Sequence, residues 1–230
     1  MAADMLRDRL DDQSLSSLLD SMDVPRVPQQ ARSRQKRDSL LAAAARLFKE
    51  RGYDATTADD IATEAGVSVG TFYSYFRNKR QLFLAIYATV LESLDALGIA
   101  TIDFSDNPRA AIRETVRRAL KRDPLFYGLQ RAFAELAPRD PELLAINEKF
   151  TRSLYQQILI AVRRVVNAGL SWPDLDADET AWAITMLLDQ NWQISLRGTP
   201  RRSGEIERHQ NALADLIYHA IFHVDSTVAA

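Results

Sequence analysis

Residues 68–82 read SVGTFYSYFRNKRQL. Four of the first nine side chains are aromatic, and Arg77, Asn78, Lys79 and Arg80 follow at once. A helix has about 3.6 residues per turn, which sorts these side chains by direction. Phe72 and Phe76 fall on one side, four apart, where they can plug into neighbouring helices. Gly70, Thr71 and Ser74 fall on the opposite side, with Val69, Tyr73 and Tyr75 on the rims. The outward side is small and hydrogen-bonding, a surface that can sink into a DNA major groove. The cations then open a further helix. Its first N–H groups have no partner within the helix, so Lys79, with Arg77 and Arg80 nearby, is expected to anchor a backbone phosphate there.

Upstream, Ser33 to Arg51 carries an apolar stripe of Leu40, Leu41, Ala44, Leu47 and Phe48 at helical spacing, closed by Gly52. Thr57 is placed to cap a second helix, with Asp60 three residues on and Ile61, Ala62 and Ala65 as its buried face. In EAGVS, Gly66 supplies a sharp turn, Val67 plugs the core and Ser68 caps the stretch already described. Helix, short turn, helix is the spacing of a helix-turn-helix.

This window, TADDIATEAGVSVGTFYSYFRNKRQLF, strongly resembles the DNA-binding domain of the TetR (tetracycline-repressor) family of bacterial transcription regulators. The shared frame is Thr57, Ile61-Ala62, Ala65-Gly66-Val67-Ser68, Gly70-Thr71, Tyr73, Tyr75-Phe76, Lys79 and Leu82, and the match spans residues 33–83. The resemblance implies that Thr71, Tyr73, Tyr75 and Lys79 contact DNA and that Thr57 adds a phosphate contact. Val69 departs from the polar or basic residue common at that place. A valine can touch a thymine methyl but cannot read guanine by hydrogen bonding.

The chain around this window has 230 residues and a formal net charge of −2. The total hides a basic block: residues 31–80 carry ten basic against six acidic side chains, while residues 81–230 carry 16 against 19. Local positive charge suits a polyanionic partner. There is no cysteine, which excludes disulfides, thiolate chemistry and Cys-based zinc sites. Nor is there a glycine-rich phosphate loop or a His–carboxylate constellation, so no enzyme and no cofactor is expected.

The acidic start MAADMLRDRLDDQSLSSLLDSMD is not a secretory signal, and no uninterrupted apolar run of about 18 residues is present, so a cytoplasmic protein with no membrane partner is expected. Leu6, Leu10, Leu15, Leu18, Leu19 and Met22 give this extension a weak amphipathic pattern before Pro25 and Pro28. Arg26, Arg32 and Arg34 form either a solvated tail or a basic arm into a minor groove.

Beyond residue 83 the pattern is helical throughout. Expected helices run from about Asn78 to Leu97, from Asn107-Pro108, from Asp123-Pro124, from Asp140-Pro141 to Asn167, from Asp178 to Leu196 and from Glu205 to Val224. The expected fold is therefore all-α with about nine helices: an N-terminal extension (1–30), a three-helix helix-turn-helix domain (31–80) and a larger helical ligand-binding and dimerisation domain (81–230).

The family resemblance implies a homodimer through the last two helices, for which Ala181, Ile184, Leu188, Ile217 and Ile221 supply packing residues. Phe126, Tyr127, Phe133, Phe150, Tyr155, Trp182, Met186 and Trp192 are either ordinary core or the lining of an effector pocket. Asp189 shares a helix face with Trp182, Thr185 and Met186, and its carboxylate calls for a ligand, an arginine or a bond across the dimer. His219 and His223 stand four apart without a third ligand, and no metal site is assigned.

The reading is a homodimeric transcription factor on a double-stranded inverted-repeat operator. It is a repressor released by a small, largely apolar effector, or alternatively a helix-turn-helix protein controlled by a protein partner or acting as an activator.

Overall fold

The computed structural model describes residues 22–120, 124–197 and 203–223, the side chains of 124–128, 191–197 and 203 excepted. The leucines read as an N-terminal amphipathic pattern lie outside the described residues. Among the described residues nine α-helices occur in chain order: α1 (Ala31–Arg51), α2 (Ala58–Glu64), α3 (Val69–Tyr75), α4 (Lys79–Asp95), α5 (Pro108–Ala119), α6 (Pro124–Leu136), α7 (Pro141–Asn167), α8 (Ala177–Arg197) and α9 (Ser203–Ile221). Short 3-10 turns stand at Ile99–Thr101 and Ala137–Arg139. The described residues contain no strand, only an isolated bridge between Ser171 and Phe222.

Local chemistry sets the boundaries. Thr57 and Asp60 form a reciprocal capping box at α2, and the Ser68 and Asn107 side chains accept from Thr71 N and Ala110 N at the starts of α3 and α5. The α2 end closes with Gly66 N donating to Thr63 O at 3.1 Å and Val67 N to Ala62 O at 3.0 Å. Gly66 carries the positive φ of +68° that this closure needs.

The chain divides into two compact units. One contains α1 to α4 together with residues 122–149, and the other holds residues 95–121 and 150–230. This division does not follow the break at residue 80 read from the sequence: α4 and α6 belong with the helix-turn-helix. The reason is packing. Among the described helix pairs, α1 packs most extensively with α6, and Leu129, Phe133 and Leu136 join Leu40, Phe48, Phe72, Phe76 and Phe83 as buried side chains. In the other unit, Ile112 and Val116 of α5 are buried with Tyr155, Val162, Ala181, Ile184, Leu213, Ile217 and Phe222.

Helix α4 is buried along almost every face from Gln81 to Ala88. The stretch Lys79–Thr101 is apolar enough, by length and composition, to cross a membrane, yet half of it is buried inside the protein. Glu92 and Asp95 interrupt the run, which is why a search for unbroken apolar residues passes over it.

Candidate nucleic-acid interface

Helix α3 is sorted by direction as its spacing predicts. Phe72 and Phe76 are fully buried, 6.0 Å apart between ring centres. Tyr73 is 57 % exposed and Val69 39 %, while Gly70 and Ser74 are exposed and Thr71 and Tyr75 partly so. The hydroxyls are held locally. Ser68 Oγ lies 3.0 Å from Thr71 Oγ1, and Ser74 Oγ donates to Thr71 O at 2.7 Å. A Cβ at Gly70 would meet nothing closer than Ser68 Oγ at 3.8 Å. Packing inside the protein therefore does not require glycine here. Thr57 is exposed, but its hydroxyl donates to Asp60 Oδ2 at 2.6 Å and accepts from Asp60 N at 3.1 Å. That hydroxyl and Thr57 N, which donates to the same Oδ2 at 2.9 Å, hold the Asp60 carboxyl below its ordinary value.

The cations after Phe76 are arranged differently from the expected phosphate clamp. Lys79 Nζ donates to the carbonyl oxygens of Tyr53 at 2.5 Å and Thr56 at 2.6 Å, and stands 4.1 Å from the centre of the Tyr53 ring. Its ammonium is spent on the α1–α2 loop rather than turned outward. Arg80 donates to both oxygens of Asp140, at 2.7 and 3.1 Å, and to Glu142 at 2.8 Å. Those partners hold the guanidinium firmly charged and pull the Asp140 carboxyl down. Arg77 remains largely exposed beside Asp23. The α4 start is capped as well: Asn78 Oδ1 accepts from Gln81 N and Gln81 Oε1 from Arg77 N, both at 2.8 Å. The Asn-x-x-Gln spacing is a readable signal for that cap.

The sequence gives no sign of the side chains that fasten the α1–α2 loop. Arg131 Nη1 donates to Lys49 O and Glu50 O at 2.9 and 2.8 Å, Glu135 Oε2 accepts from Asp54 N at 3.0 Å, and Arg139 pairs with Asp54. Tyr53 is buried between Phe48 and Phe83, and burial pushes its phenol up to about 12. The result is a helix pair, α2 and α3, held by its caps and its aromatic plug, on a loop pinned by a lysine from α4 and by α6. Such a unit can present one polar, lightly ridged face to a double helix.

The described aromatic residues read as an effector pocket divide between the two units. Phe133 stacks on Tyr87 at 5.8 Å in the first unit. In the second, Tyr155 packs edge-on against Trp182 at 5.8 Å and donates to Asp178 Oδ2 at 2.7 Å. Phe150 and Met186 are partly buried, and the side chains of Phe126 and Trp192 lie outside the described residues. Two cavities, one lined from Val24 to Glu92 and one between α5 and α9, include none of these residues. Asp189 is partly buried, and desolvation alone pushes its carboxyl up. Ala181, Ile184, Ile217 and Ile221, read as packing residues for a partner, are buried within the protomer's own core. Leu188 is partly buried against the same core. Among the described residues no group of three potential metal ligands occurs.

Comparison with known proteins agrees with this architecture. The family model described as "Bacterial regulatory proteins, tetR family" matches residues 40–86. An uncharacterized HTH-type transcriptional regulator of Bacillus subtilis, YhgD, is 29% identical over 153 residues, covering 64% of this chain and 78% of that protein. The HTH-type transcriptional regulator BetI of Rhizobium meliloti is 27% identical over 169 residues, 72% of this chain and 80% of its own. Among solved structures, a TetR-family transcriptional regulator of Mesorhizobium loti superposes with a TM-score of 0.61 at 26% identity, covering 84% of this chain and all (100%) of the other. With a helix-turn-helix at residues 40–86 that matches the family model and an all-helical chain similar in fold to a solved TetR-family regulator, the protein is similar to the tetR family of bacterial transcriptional regulators.

Proposed function

We propose that the protein is a homodimeric repressor that binds an inverted-repeat operator and leaves it when a small, largely apolar effector binds. The observation that carries the DNA-reading part is the division of α3: Phe72 and Phe76 are locked inside while Val69, Gly70, Thr71, Tyr73 and Ser74 face outward. Thr71 and Tyr73 offer hydrogen bonds to base edges or phosphates, and Val69 offers apolar contact to a thymine methyl. With Lys79 and Arg80 engaged internally, phosphate neutralisation falls to exposed cations such as Arg26, Arg32, Arg34 and Arg77. The domain roles follow: residues 31–80 read DNA and residues 81–230 carry dimerisation and effector response.

Dimerisation is supported by a stripe on α9, where Ala212, Leu216 and Ala220 are exposed at four-residue spacing and Leu216 is 58 % exposed. Two protomers related by a two-fold axis would present two α3 helices to DNA, which requires a palindromic operator. The effector reading draws support from a Saccharomonospora viridis transcriptional regulator solved in complex with choline, 25% identical with a TM-score of 0.65 over 81% of this chain and 97% of that one. The partly buried Asp189 carboxylate is the group that a cationic or hydroxylated effector would seek here. The close packing of Tyr155, Trp182 and Asp178 favours a second reading, in which this unit serves only for dimerisation or receives a protein partner.

The test is selection of bound sequences from random double-stranded DNA, followed by a salt titration on the winner. An enriched inverted repeat whose affinity falls steeply with salt is the expected result. Absence of any enriched site overturns the operator reading.

A further inference from the structure

A cavity of about 520 Å³ lies between the N-terminal segment at Val24 and Val27, α1 and α4. That volume is within the range of small-molecule sites, about 300–1,000 Å³. The cavity belongs to the DNA-reading unit and shares no residue with the aromatic set discussed above. Its walls are apolar, chiefly Val24, Leu41, Ala85 and Ala88, and its polar groups are Arg37, Asp38, Thr89 and Glu92.

Arg37 is the unusual member. It is only 6 % exposed, and its Nε is buried without a hydrogen-bond partner. Its paired carboxylate, Asp38, is 3.7 Å away, beyond hydrogen-bond length, and its guanidinium stands 6.0 Å from the centre of the Phe76 ring. Buried donors are nearly always satisfied, and a buried charge without a close partner is costly. Burial accordingly pulls this guanidinium down, against the opposing influence of Asp38 and Glu92. An acceptor atom from outside would relieve that deficit. The lining holds one cation and two carboxylates, so an anionic ligand would meet net repulsion. An uncharged acceptor would not.

We propose that this cavity binds a small uncharged amphiphile, its apolar body against Val24, Leu41 and Ala88 and its carbonyl-type oxygen accepting from the Arg37 guanidinium. The Thr89 hydroxyl donates to Ala85 O at 2.9 Å, so its oxygen can accept a donor carried by the same head group. A molecule seated there touches both α1 and α4, the helices that frame the helix-turn-helix, so occupancy would bear directly on the reading head.

The experiment uses the full chain with labelled Ala, Leu and Val methyl groups, titrated with hexanamide and with the equally long hexanoate and hexylamine. Hexanamide should give saturable methyl shifts at Val24, Leu41, Ala85 and Ala88, and bind more tightly than either charged probe. Arg37→Met, which exchanges an ill-paired buried charge for an apolar chain of similar length, should weaken hexanamide about tenfold. Ala42→Leu, which fills the cavity while leaving Arg37 in place, should abolish the shifts. Shifts confined to other methyls, undiminished binding to either variant, or tighter binding of a charged probe overturns the proposal. Should Arg37→Met fail to fold, Ala42→Leu alone decides between binding in this cavity and binding elsewhere.

Discussion

The carboxylate of Glu135 stands where a side chain at position 52 would have to be. A Cβ built on Gly52 would lie 2.2 Å from Glu135 Oε1, and the residue adopts φ of +90°, in a region that suits glycine. The same carboxylate accepts from Asp54 N at 3.0 Å. Glycine at the end of α1 is thus required by its own backbone, and a side chain there would also displace the Glu135 carboxylate. Gly52→Ala should lower unfolding free energy by about 2–3 kcal/mol in urea melts, since such backbone positions cost about 1–3 kcal/mol and the carboxylate must also move. In the Glu135→Ala background the same substitution should cost measurably less. Equal costs in both backgrounds would show that only the backbone matters.

Lys79 acts from the inside. Lys79→Met should lower the melting temperature, through loss of two charge-assisted hydrogen bonds and a cation–π contact worth together about 2–3 kcal/mol. It should weaken operator binding by loosening the α1–α2 loop while leaving the slope of log affinity against log salt unchanged. A lysine that neutralised a phosphate would instead flatten that slope by about 0.9. A salt series on both proteins separates the two.

Gly70→Ala should leave the fold intact or stabilise it by about 0.5–1 kcal/mol, because alanine is the better helix former and the new methyl meets only Ser68 Oγ at 3.8 Å. Operator affinity should nonetheless fall at least tenfold if this face lies against base edges. Unchanged affinity together with unchanged stability would move the reading surface away from Gly70.

Leu216→Glu should break a homodimer without unfolding the protomer, because the side chain is 58 % exposed. An anchor of this kind is worth about 2 kcal/mol or more at an interface. Sedimentation velocity at micromolar concentration should then show monomers that still melt cooperatively. Ala181→Glu, by contrast, places a charge at a fully buried position and should abolish folding. A Leu216→Glu dimer indistinguishable from the parent would exclude α9 as the interface.

Tyr53 makes stability sensitive to alkali. Its folded phenol titrates near 12 against an ordinary 10, so below 10 its contribution is fully present. Above that the unfolded chain loses its proton first, and stability falls until the folded phenol titrates too. Tyr53→Phe should remove on the order of 1–2 kcal/mol of the loss between pH 9 and pH 12. Urea melts at the two pH values check it. An identical loss in the variant would assign the alkaline sensitivity to other groups.

Much of the reading head is legible because its determinants are local. The Thr57–Asp60 box, the Ser68 cap and the opposite directions of Phe72 and Gly70 all follow from spacings of four residues or fewer. The orientation of Lys79 does not. Its partners are main-chain carbonyls 26 and 23 positions away, and nothing in a side-chain pattern reveals where a distant carbonyl points. Glu135 and Arg131 are hidden for the same reason. In the helical remainder, apolar spacing shows that Ala181, Ile184 and Ile217 face something but not whether it is a second subunit or the protomer's own core. Tyr155 and Trp182 raise the same difficulty, since an aromatic side chain that packs and one that lines a pocket have the same periodicity.

The interleaving of the two units bears on how the protein is made. Arg131 reaches back to Lys49 and Glu50 across 82 and 81 positions, and the unit that contains α3 is completed only by residues 122–149. A nascent chain growing from its N-terminus presents α1 to α4 to solvent, with the seat for α6 bare, until those residues leave the ribosome. Until then the polypeptide owns every residue of its DNA-reading surface and lacks the helix that steadies it. Premature termination near residue 100 would therefore release a fragment with an exposed apolar groove rather than a small, constitutive DNA binder.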